Sequence, residues 1–299
     1  GSLVLKPFLL LEYIKLLDEE YIEFILNNGF ITVHHAEFSI LEEGTFPIIT
    51  ETTPIKLLSI NGGEFVKLLE KSKFAASLTS DNIQINCVRA IFKLNEINLV
   101  STDSYRLLYL KNEKNCHVEK EISIPMDTIN VICKLLKDSE KEVIIGFSGE
   151  NIILTWENAY FSSKTIALPF PDFKGILANS SFSKVMEFNR DELKSALKRV
   201  ITVAKTSVDA KFGAIFDFKG KTLLINAFSG KAKINQKVNM IKEGEDFKSS
   251  LNCKFLAEYI DNISDNPVIK GSNASSMFEI TEIGKDDYKY ILMPLALRD

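Results

Sequence analysis

Residues that could carry catalysis are few in this chain and do not fall into catalytic spacings. The histidines are His34, His35 and His117, and neither an HExxH pattern nor a pair of carboxylates accompanies them. His34 and His35 lie in a strand pattern, which favours a structural role. Asp103 beside Ser104 could suggest acid/base chemistry, but no third group is identifiable for it. Glycine-rich phosphate loops and hydrolase nucleophile motifs are missing as well, so the sequence predicts a non-catalytic protein without a cofactor or metal.

The cysteines and the hydropathy pattern indicate where the protein works. Cys87, Cys116, Cys133 and Cys253 are far apart and never in a CxxC spacing, so we expect reduced, mostly buried thiols. Neither a signal peptide nor an apolar run of the roughly eighteen residues that a membrane span needs is visible. These features favour a cytoplasmic protein that does not enter a membrane.

Length and charge restrict the architecture. A chain of 299 residues is too long for one typical domain, so two or three are expected. The formal net charge of −4 argues against a protein coated in basic surface, although it allows a locally basic face.

The elements that would position any site are repeated along the chain. Residues 60–65 and 188–193 each end an apolar strand with an asparagine, Asn61 or Asn189, that can cap a helix with glutamate at its third position. The two segments are 128 residues apart, and both continue with apolar residues at helical spacing. Further matches follow in the same order: 122–136 with 249–260, 36–39 with 159–162, and 46–47 with 170–171.

Each repeat reads as strand, helix, three strands, then the same again. Predicted strands include 22–26, 30–40, 89–94, 97–102, 143–147, 152–156, 212–218, 222–227 and 276–281. The alternative is chance similarity between alternating strand patterns, but order, spacing and residue type agree together. We therefore predict an α+β fold of tandem repeats, with paired helices on antiparallel sheets. The predicted domains are 1–54 (the second half of a repeat), 55–173 and 174–299.

Three short segments carry a family resemblance. Residues 102–107 (TDSYRL), 170–173 (FPDF) and 290–295 (YILMPL) resemble motifs of bacterial DNA sliding clamps, the beta subunit of DNA polymerase III. The similarity runs from about Leu3 to Leu297. It implies three copies of one domain per chain, with two chains closing head to tail around duplex DNA as a non-catalytic subunit of the polymerase holoenzyme.

The resemblance also implies a hydrophobic pocket between the second and third domains. There the polymerase catalytic subunit, the clamp loader, and repair and ligation proteins would insert short peptides. Apolar walls with one arginine at the rim suit Leu or Phe anchors, and methionine allows repacking for several partners. Carried over position by position, the pocket is lined by Cys87, Thr102, Ser104, Tyr105, Arg106, Leu107, Pro171, Ile176, Met277, Ile291, Met293, Pro294 and Leu295.

Two further surfaces follow from the same resemblance. The DNA-facing helices would offer Lys67, Lys71, Lys73, Lys134, Lys194 and Lys198, in loose, sequence-blind contacts to phosphates. The ring interface would place Phe38 and Ile40 against Thr202 and Val203 of a second chain.

The opening Gly1-Ser2 is typical of a cloning scar, and about 65–75 residues of the first repeat are expected to be absent. A chain of this length is therefore not expected to form a normal closed ring, and homodimers are expected of the full-length protein.

Some positions depart from the family motifs. Ser104 replaces a glycine, so a positive φ there is less comfortable. Tyr105 replaces a histidine, Gly175 stands where a basic residue is common, and Ala296 replaces an arginine. These departures bear on which peptide is preferred. Two alternatives remain: a clamp-fold interaction scaffold that does not encircle DNA, and an enzyme of unknown type.

Overall fold

The computed structural model describes residues 3–42, 44, 46, 52–178, 182–207, 210–242 and 245–296. Gly1, Ser2, Pro47 and residues 297–299, which enter some of the sequence-based expectations, lie outside the described residues. The chain forms two compact units, Gly1–Thr53 and Pro54–Asp299, here called the front unit and the main unit. The predicted division of the main unit at residues 173 and 174 stays a prediction.

The front unit consists of one helix and a small antiparallel sheet. Its elements are β1 (Val4–Leu5), α1 (Pro7–Ile14), β2 (Phe24–Asn27), β3 (Phe30–Val33) and β4 (Ala36–Leu41). Proline begins the helix, where a missing N–H is tolerated. The strands lie in the order β1-β4-β3-β2, and Leu10 of the helix packs with Ile31 and Val33 of the sheet.

The main unit contains two sets of strands and helices in the predicted order. The first set is β5 (Ile55–Asn61), α2 (Gly62–Lys73), β6 (Cys87–Lys93), β7 (Glu96–Thr102), β8 (Arg106–Glu113), β9 (Lys120–Pro125), α3 (Met126–Leu135), β10 (Glu142–Ser148), β11 (Asn151–Trp156), β12 (Ala159–Lys164) and α4 (Phe173–Ala178). The second set is β13 (Lys184–Phe188), α5 (Arg190–Ala204), β14 (Gly213–Lys219), β15 (Thr222–Phe228), β16 (Lys233–Lys242), β17 (Phe247–Asn252), α6 (Cys253–Asp261), β18 (Pro267–Gly271), β19 (Phe278–Glu282) and β20 (Tyr288–Leu292).

Local chemistry at the helix starts confirms the predicted repeat. The Asn61 side chain accepts a hydrogen bond from the Glu64 N–H at 3.1 Å, and Asn189 accepts from the Glu192 N–H at 3.0 Å. Each bond satisfies a donor that the first helical turn leaves free. Helix α2 packs with α3, and α5 packs with α6, as expected for paired helices over sheets.

The repeat also appears in a hydrogen bond that joins the end of each set to one of its edge strands. The Ile166 N–H donates to the Ser123 carbonyl at 2.9 Å, and 127 residues beyond Ser123 the Ser250 carbonyl accepts from the Leu295 N–H at 2.7 Å. In both sets, the segment after the last strand thus bonds the edge strand that leads into the second helix. The predicted α+β fold of repeats, with paired helices on antiparallel sheets, is confirmed.

One sheet of the main unit joins both sets. Its twelve strands run β17-β14-β15-β16-β13-β18-β19-β20-β8-β7-β6-β9, and a four-stranded sheet runs β12-β11-β10-β5. A single core lies between these sheets and the helices, and it contains residues of both sets, such as Leu108 and Tyr290. Because strand β20 of the second set pairs with β8 of the first, the two sets share a continuous sheet and core.

The expectation for His34 and His35 is wrong in detail. Both lie in the turn between β3 and β4 rather than in a continuous strand, and His34 has φ of +53°. A turn with positive φ is open to histidine more than to β-branched residues. His34 Nε2 lies 3.1 Å from a carboxylate oxygen of Glu19, which fits the predicted structural role.

Candidate functional site

The seam between β8 and β20 brings together the segments that carry the family resemblance. The strands pair antiparallel, with Leu107 opposite Ile291 and Arg106 opposite Leu292. One residue further, the Met293 N–H donates to the Tyr105 carbonyl at 2.9 Å. Residues 102–107 and 290–293 are therefore neighbours in one sheet, although about 190 residues separate them in sequence.

Alternation along these strands separates two faces of the seam. Leu108 of β8 and Tyr290 and Leu292 of β20 belong to the main core beneath the helices. Leu107 and Ile291 point to the opposite face and belong to a second apolar cluster. The face away from the helices thus carries an apolar cluster of its own, separate from the main core.

The surface around this second cluster is here called the slot. Its buried members are Ile91, Val100, Leu107, Phe173 and Ile291, with Tyr109, Phe170, Leu177 and Met277 half-buried against them. Its apolar floor crosses from β6 through β7 and β8 to β20. At one end Met293 is 42% exposed, so an apolar and adaptable side chain borders solvent there.

Helix α4 covers part of this floor. Phe173 is buried, and its ring stacks on Tyr109 with centroids 6.4 Å apart and meets Phe170 at 6.2 Å. Lys174 reaches Glu121 on strand β9 at 3.5 Å. The segment that joins the two sets therefore forms one wall of the slot.

A tight turn holds the end of β8 against β20. The Asp103 carboxylate accepts the backbone N–H groups of Tyr105 at 3.0 Å and Arg106 at 3.1 Å. The Thr102 hydroxyl donates to the Arg106 carbonyl at 2.6 Å and accepts from the Ser104 N–H at 3.1 Å. Ser104 has φ of +77°, so the predicted strain of a serine in place of glycine is present.

Arg106 does not lie at the rim of the slot, and that expectation is wrong. Its side chain is 6% exposed and points toward the helices, because Arg106 alternates with Leu107 along β8. The guanidinium donates to the Phe74 carbonyl at 2.7 Å and to Asp103 at 2.8 Å, and it forms an ion pair with Glu258 of α6. It also lies 3.9 Å from the Phe255 ring centroid. Arg106 therefore ties the end of α2 to α6 across the seam.

The other predicted pocket positions surround the slot to different degrees. Cys87 shares the face of Ile91 on β6 and is fully buried, which raises the pKa of its thiol to about 11. Pro294 and Leu295 are half-buried, and the Leu295 N–H donates a hydrogen bond to the Ser250 carbonyl of β17. The predicted pocket residues with exposed or half-buried side chains on the elements around the slot are Ser104, Tyr105, Pro171, Ile176, Met277 and Met293.

Sequence reasoning missed several slot residues, namely Ile91, Val100, Tyr109, Phe170, Phe173 and Leu177. One signal was available: residues 107–110 are apolar on both faces of β8, which is typical of a strand covered on both sides. The same signal is present at residues 90–92 of β6 and 99–100 of β7, but it does not identify the covering element, α4, which lies far away in sequence.

The predicted DNA-facing lysines lie on α2, α3 and α5. Lys67, Lys71, Lys134 and Lys198 are exposed. Lys73 lies 3.4 Å from the Asn130 side chain, and Lys194 forms an ion pair with Asp261 at 2.7 Å. The helices thus present separated positive charges rather than a dense patch.

The predicted ring-interface residues lie on two different elements. In the front unit, Phe38 and Ile40 are half-buried on β4 and pack on its small core. In the main unit, Thr202 and Val203 lie in the last turn of α5, where Thr202 is exposed and Val203 packs on the main core.

Other chemistry finds little support in the described part of the chain. All four cysteines are buried and free of disulfides, as expected. Within the described ranges, histidine, cysteine and carboxylate side chains form no cluster that could hold a metal ion. None of the described helices is long and apolar enough to cross a membrane.

Comparison with known proteins agrees with this architecture. The family model for the DNA polymerase III beta subunit, central domain, matches residues 59–172. The beta sliding clamp of Mycoplasma capricolum is 26% identical over 99% of this chain and 81% of its own length. That of Rickettsia bellii is 27% identical over 73% of this chain and 60% of its own length. The DNA polymerase III subunit beta structure from Pseudomonas aeruginosa superposes with a TM-score of 0.88 at 20% identity, covering 99% of this chain and 83% of that one.

The structural likeness identifies the class of protein as one with the DNA-clamp fold. The sequence matches are to bacterial beta sliding clamps and, over residues 59–172, to the central domain of the DNA polymerase III beta subunit.

Proposed function

We propose that the protein is a sliding clamp, a non-catalytic processivity factor that encircles duplex DNA and tethers the replicative polymerase. The observation that carries the proposal is the apolar floor that crosses the seam from Val100 and Leu107 to Ile291 on the face away from the helices. Such a floor suits a partner's peptide, while the helices on the other face remain available to DNA. This function places the protein in the cytoplasm, with the chromosome.

The slot fits a short linear segment with Leu or Phe anchors. A leucine-sized anchor that becomes fully buried contributes roughly 1.5–3 kcal/mol, so two anchors contribute roughly 3–6 kcal/mol toward the cost of association, and backbone and rim contacts must supply the rest. Met277 and Met293 at the mouth can repack around different anchors. One slot can therefore serve the polymerase catalytic subunit, the clamp loader, and repair and ligation proteins in turn.

The helix lysines would touch DNA through phosphates. Because Lys67, Lys71, Lys134 and Lys198 are exposed and separated, their contacts would be sequence-blind and weakened by salt. A formal net charge of −4 further limits the grip of the protein on DNA. Retention then comes from ring topology rather than from affinity, and the full-length protein would be a head-to-tail homodimer with Phe38 and Ile40 near the partner's Thr202 and Val203.

Retention on closed and open DNA tests this proposal. Full-length protein, loaded by a clamp loader, is applied to nicked circular DNA and to the same DNA linearised. A clamp stays on the circle and slides off the line, because only the circle lacks an end. Equal retention on both would contradict encirclement and would favour the alternative of a clamp-fold interaction scaffold.

A further inference from the structure

The front unit exposes apolar side chains on the core-facing side of its sheet. Phe24 and Leu26 of β2 pair with Val33 and Ile31 of β3, so all four side chains lie on the same face of the sheet. Val33 and Ile31 are buried beneath α1, whereas Phe24 and Leu26 are 49% and 59% exposed. Helix α1 therefore covers β3 and leaves β2 largely uncovered.

The front unit matches the second half of the first set strand by strand. Each consists of a strand, a helix and three antiparallel strands: β1, α1, β2, β3 and β4 in one, and β9, α3, β10, β11 and β12 in the other. The last two strands meet at turns of equal length, where Val33 lies opposite Ala36 and Trp156 lies opposite Ala159. Strand β2 therefore corresponds to β10.

In the complete set, the side chains equivalent to those of β2 are buried. Two residues further from the turn, Ile31 pairs with Leu26 in the front unit and Leu154 pairs with Ile145 in the set. Ile145 is fully buried, and so is Val143 beside it on the same face of β10. The two halves of the set cover this face together, so the front unit exposes a face that another half would cover.

The two halves of each set are joined reciprocally. In the first set, the strand before each helix pairs with the strand that follows the other helix: β5 with β10, and β9 with β6. The second set repeats this arrangement, with β13 on β18 and β17 on β14. The two helices also pack together in both sets. A reciprocal junction of equivalent halves has the geometry of a two-fold interface, in which both partners use the same surface.

The front unit carries both strands of such a junction at the two edges of its sheet. The strand order is β1-β4-β3-β2, and within the described residues β1 pairs only with β4 and β2 only with β3. Strand β1 precedes α1 and β2 follows it, as β9 precedes α3 and β10 follows it. A second copy of the front unit therefore offers the two complementary edges at once.

Helix α1 is apolar where α3 meets its partner helix. Residues 7–17 match residues 126–136, which lie 119 positions later, in their apolar spacing. Leu11 then corresponds to Asn130, whose side chain accepts a hydrogen bond from Lys73 of α2 at 3.4 Å. Because Leu11 is exposed and apolar, this contact point of α1 suits another apolar helix face rather than a lysine.

We propose that two copies of the 299-residue chain pair through their front units about a two-fold axis, so that each front unit supplies the half-repeat that the other lacks. Leu58 and Leu3 each lie four residues before the start of a helix. In the first set Leu58 lies opposite Ile145, so the transferred register sets Leu3 opposite Leu26 of the second copy. Helix α1 then packs on its copy, and the core-facing side chains of β2 become buried.

Apolar burial drives this pairing, whereas charge opposes it. Residues 3–42 contain seven acidic residues and two lysines, so two front units repel each other at low ionic strength. Salt screens that repulsion, and we therefore expect pairing to become tighter as the salt concentration rises. An interface held by ion pairs would weaken instead.

Sedimentation equilibrium of this chain at low and at high salt measures the dissociation constant of the dimer. Leu26→Glu should weaken dimerisation roughly tenfold or more, because it places a charge in the buried face. Ile25→Glu is the matched control: Ile25 is 48% exposed on the opposite face of the same strand, and its replacement should change the constant by less than about threefold. A chain that stays monomeric at its highest soluble concentration, or a dimer that responds equally to both substitutions, would overturn the pairing.

Cysteine cross-linking tests the register. A mixture of the Leu3→Cys and Leu26→Cys variants should give disulfide-linked dimers on mild oxidation, because opposite residues of antiparallel strands lie within disulfide reach. Neither variant alone should cross-link, since the two-fold axis sets each position against the other one. The native cysteines are all buried, which keeps the background low. Equal cross-linking by either variant alone, or none in the mixture, would contradict the proposed pairing.

The front-unit contact is independent of the proposed function, and its tests are separate. Retention of the full-length protein on nicked circles tests encirclement, whereas self-association of the 299-residue chain tests only the pairing of front units. Leu26→Glu should therefore abolish the dimer while leaving the affinity of a slot peptide unchanged. Loss of peptide binding together with the dimer would overturn the assignment of Leu26 to a separate interface.

Discussion

Replacing Arg106 by methionine removes the polar contacts that join α2 and α6 across the seam. The guanidinium donates to Asp103 at 2.8 Å and to the Phe74 carbonyl at 2.7 Å, pairs with Glu258, and lies over the Phe255 ring. Methionine keeps an aliphatic stem of similar length but has no donor. The substitution therefore removes the guanidinium from two carboxylates and one carbonyl, while steric changes stay small; Asp103 keeps its backbone N–H donors and Glu258 keeps Lys254.

The size of the effect follows from burial. Removing one partner of a buried ion pair costs about 3–5 kcal/mol. Here the side chains of Glu258 and Asp103 are 31% and 16% exposed, so hydration of the two carboxylates offsets part of the lost free energy. We therefore expect a loss of about 2–3 kcal/mol, or a fall in Tm of roughly 4–12 °C for a unit of this size.

Urea unfolding followed by fluorescence measures this change, because Trp156 is the one tryptophan of the chain. Arg199→Met is the matched control, since Arg199 is exposed and should change stability by less than about 0.5 kcal/mol. The folded Arg106→Met variant should also keep more affinity for a slot peptide than Met293→Ala does. A stability within about 0.5 kcal/mol of the wild type would refute the role of Arg106 as a tie between α2 and α6.

Two further predictions follow from single residues. Ser104→Gly should raise the free energy of unfolding by about 0.5–1 kcal/mol, because glycine adopts the φ of +77° without the strain of a Cβ. Thermal melting measures this gain, and an unchanged Tm would show that the serine is not strained. Hydrogen bonds from Lys93 first, then from Lys111 and Asn98, lower the pKa of Glu96 from 4.5 to about 2. A carboxyl with a lowered folded-state pKa stabilises the protein above pH 4.5 and loses that contribution as the pH falls toward 2. Glu96→Gln should therefore make the free energy of unfolding fall less steeply with decreasing pH over this range. Urea titrations at each pH measure that dependence, and the same dependence as in the wild type would contradict the contact.

Local chemistry made much of the fold predictable. Helix starts at Asn61 and Asn189 follow from side-chain acceptors placed before an apolar helical stripe, and both caps are present. The predicted strands outside 30–40 occur within two residues of their expected ends. The exception is instructive, because a turn through His34 carries neither Gly nor Asn to mark it.

The site was less predictable than the fold. Alternation indicates that Arg106 and Leu107 face opposite sides of β8, but which side holds the helices depends on long-range pairing with β20. The contribution of Phe173 depends on where α4 packs after the sheet has formed, and no local pattern reports it. The family resemblance located the seam, and the structure then assigned each side chain to a face.

The affinity of a slot peptide is the most direct test of the central claim that the seam forms a partner site. Fluorescence anisotropy of a labelled QL-x-LF-like peptide should show saturable binding to the wild type. Met293→Ala should weaken that binding roughly tenfold, because a half-exposed anchor contact worth about 1–2 kcal/mol is lost. Lys198→Ala, on the helix face, should leave it unchanged. Binding that is absent, or that responds to Lys198→Ala and not to Met293→Ala, would contradict the account.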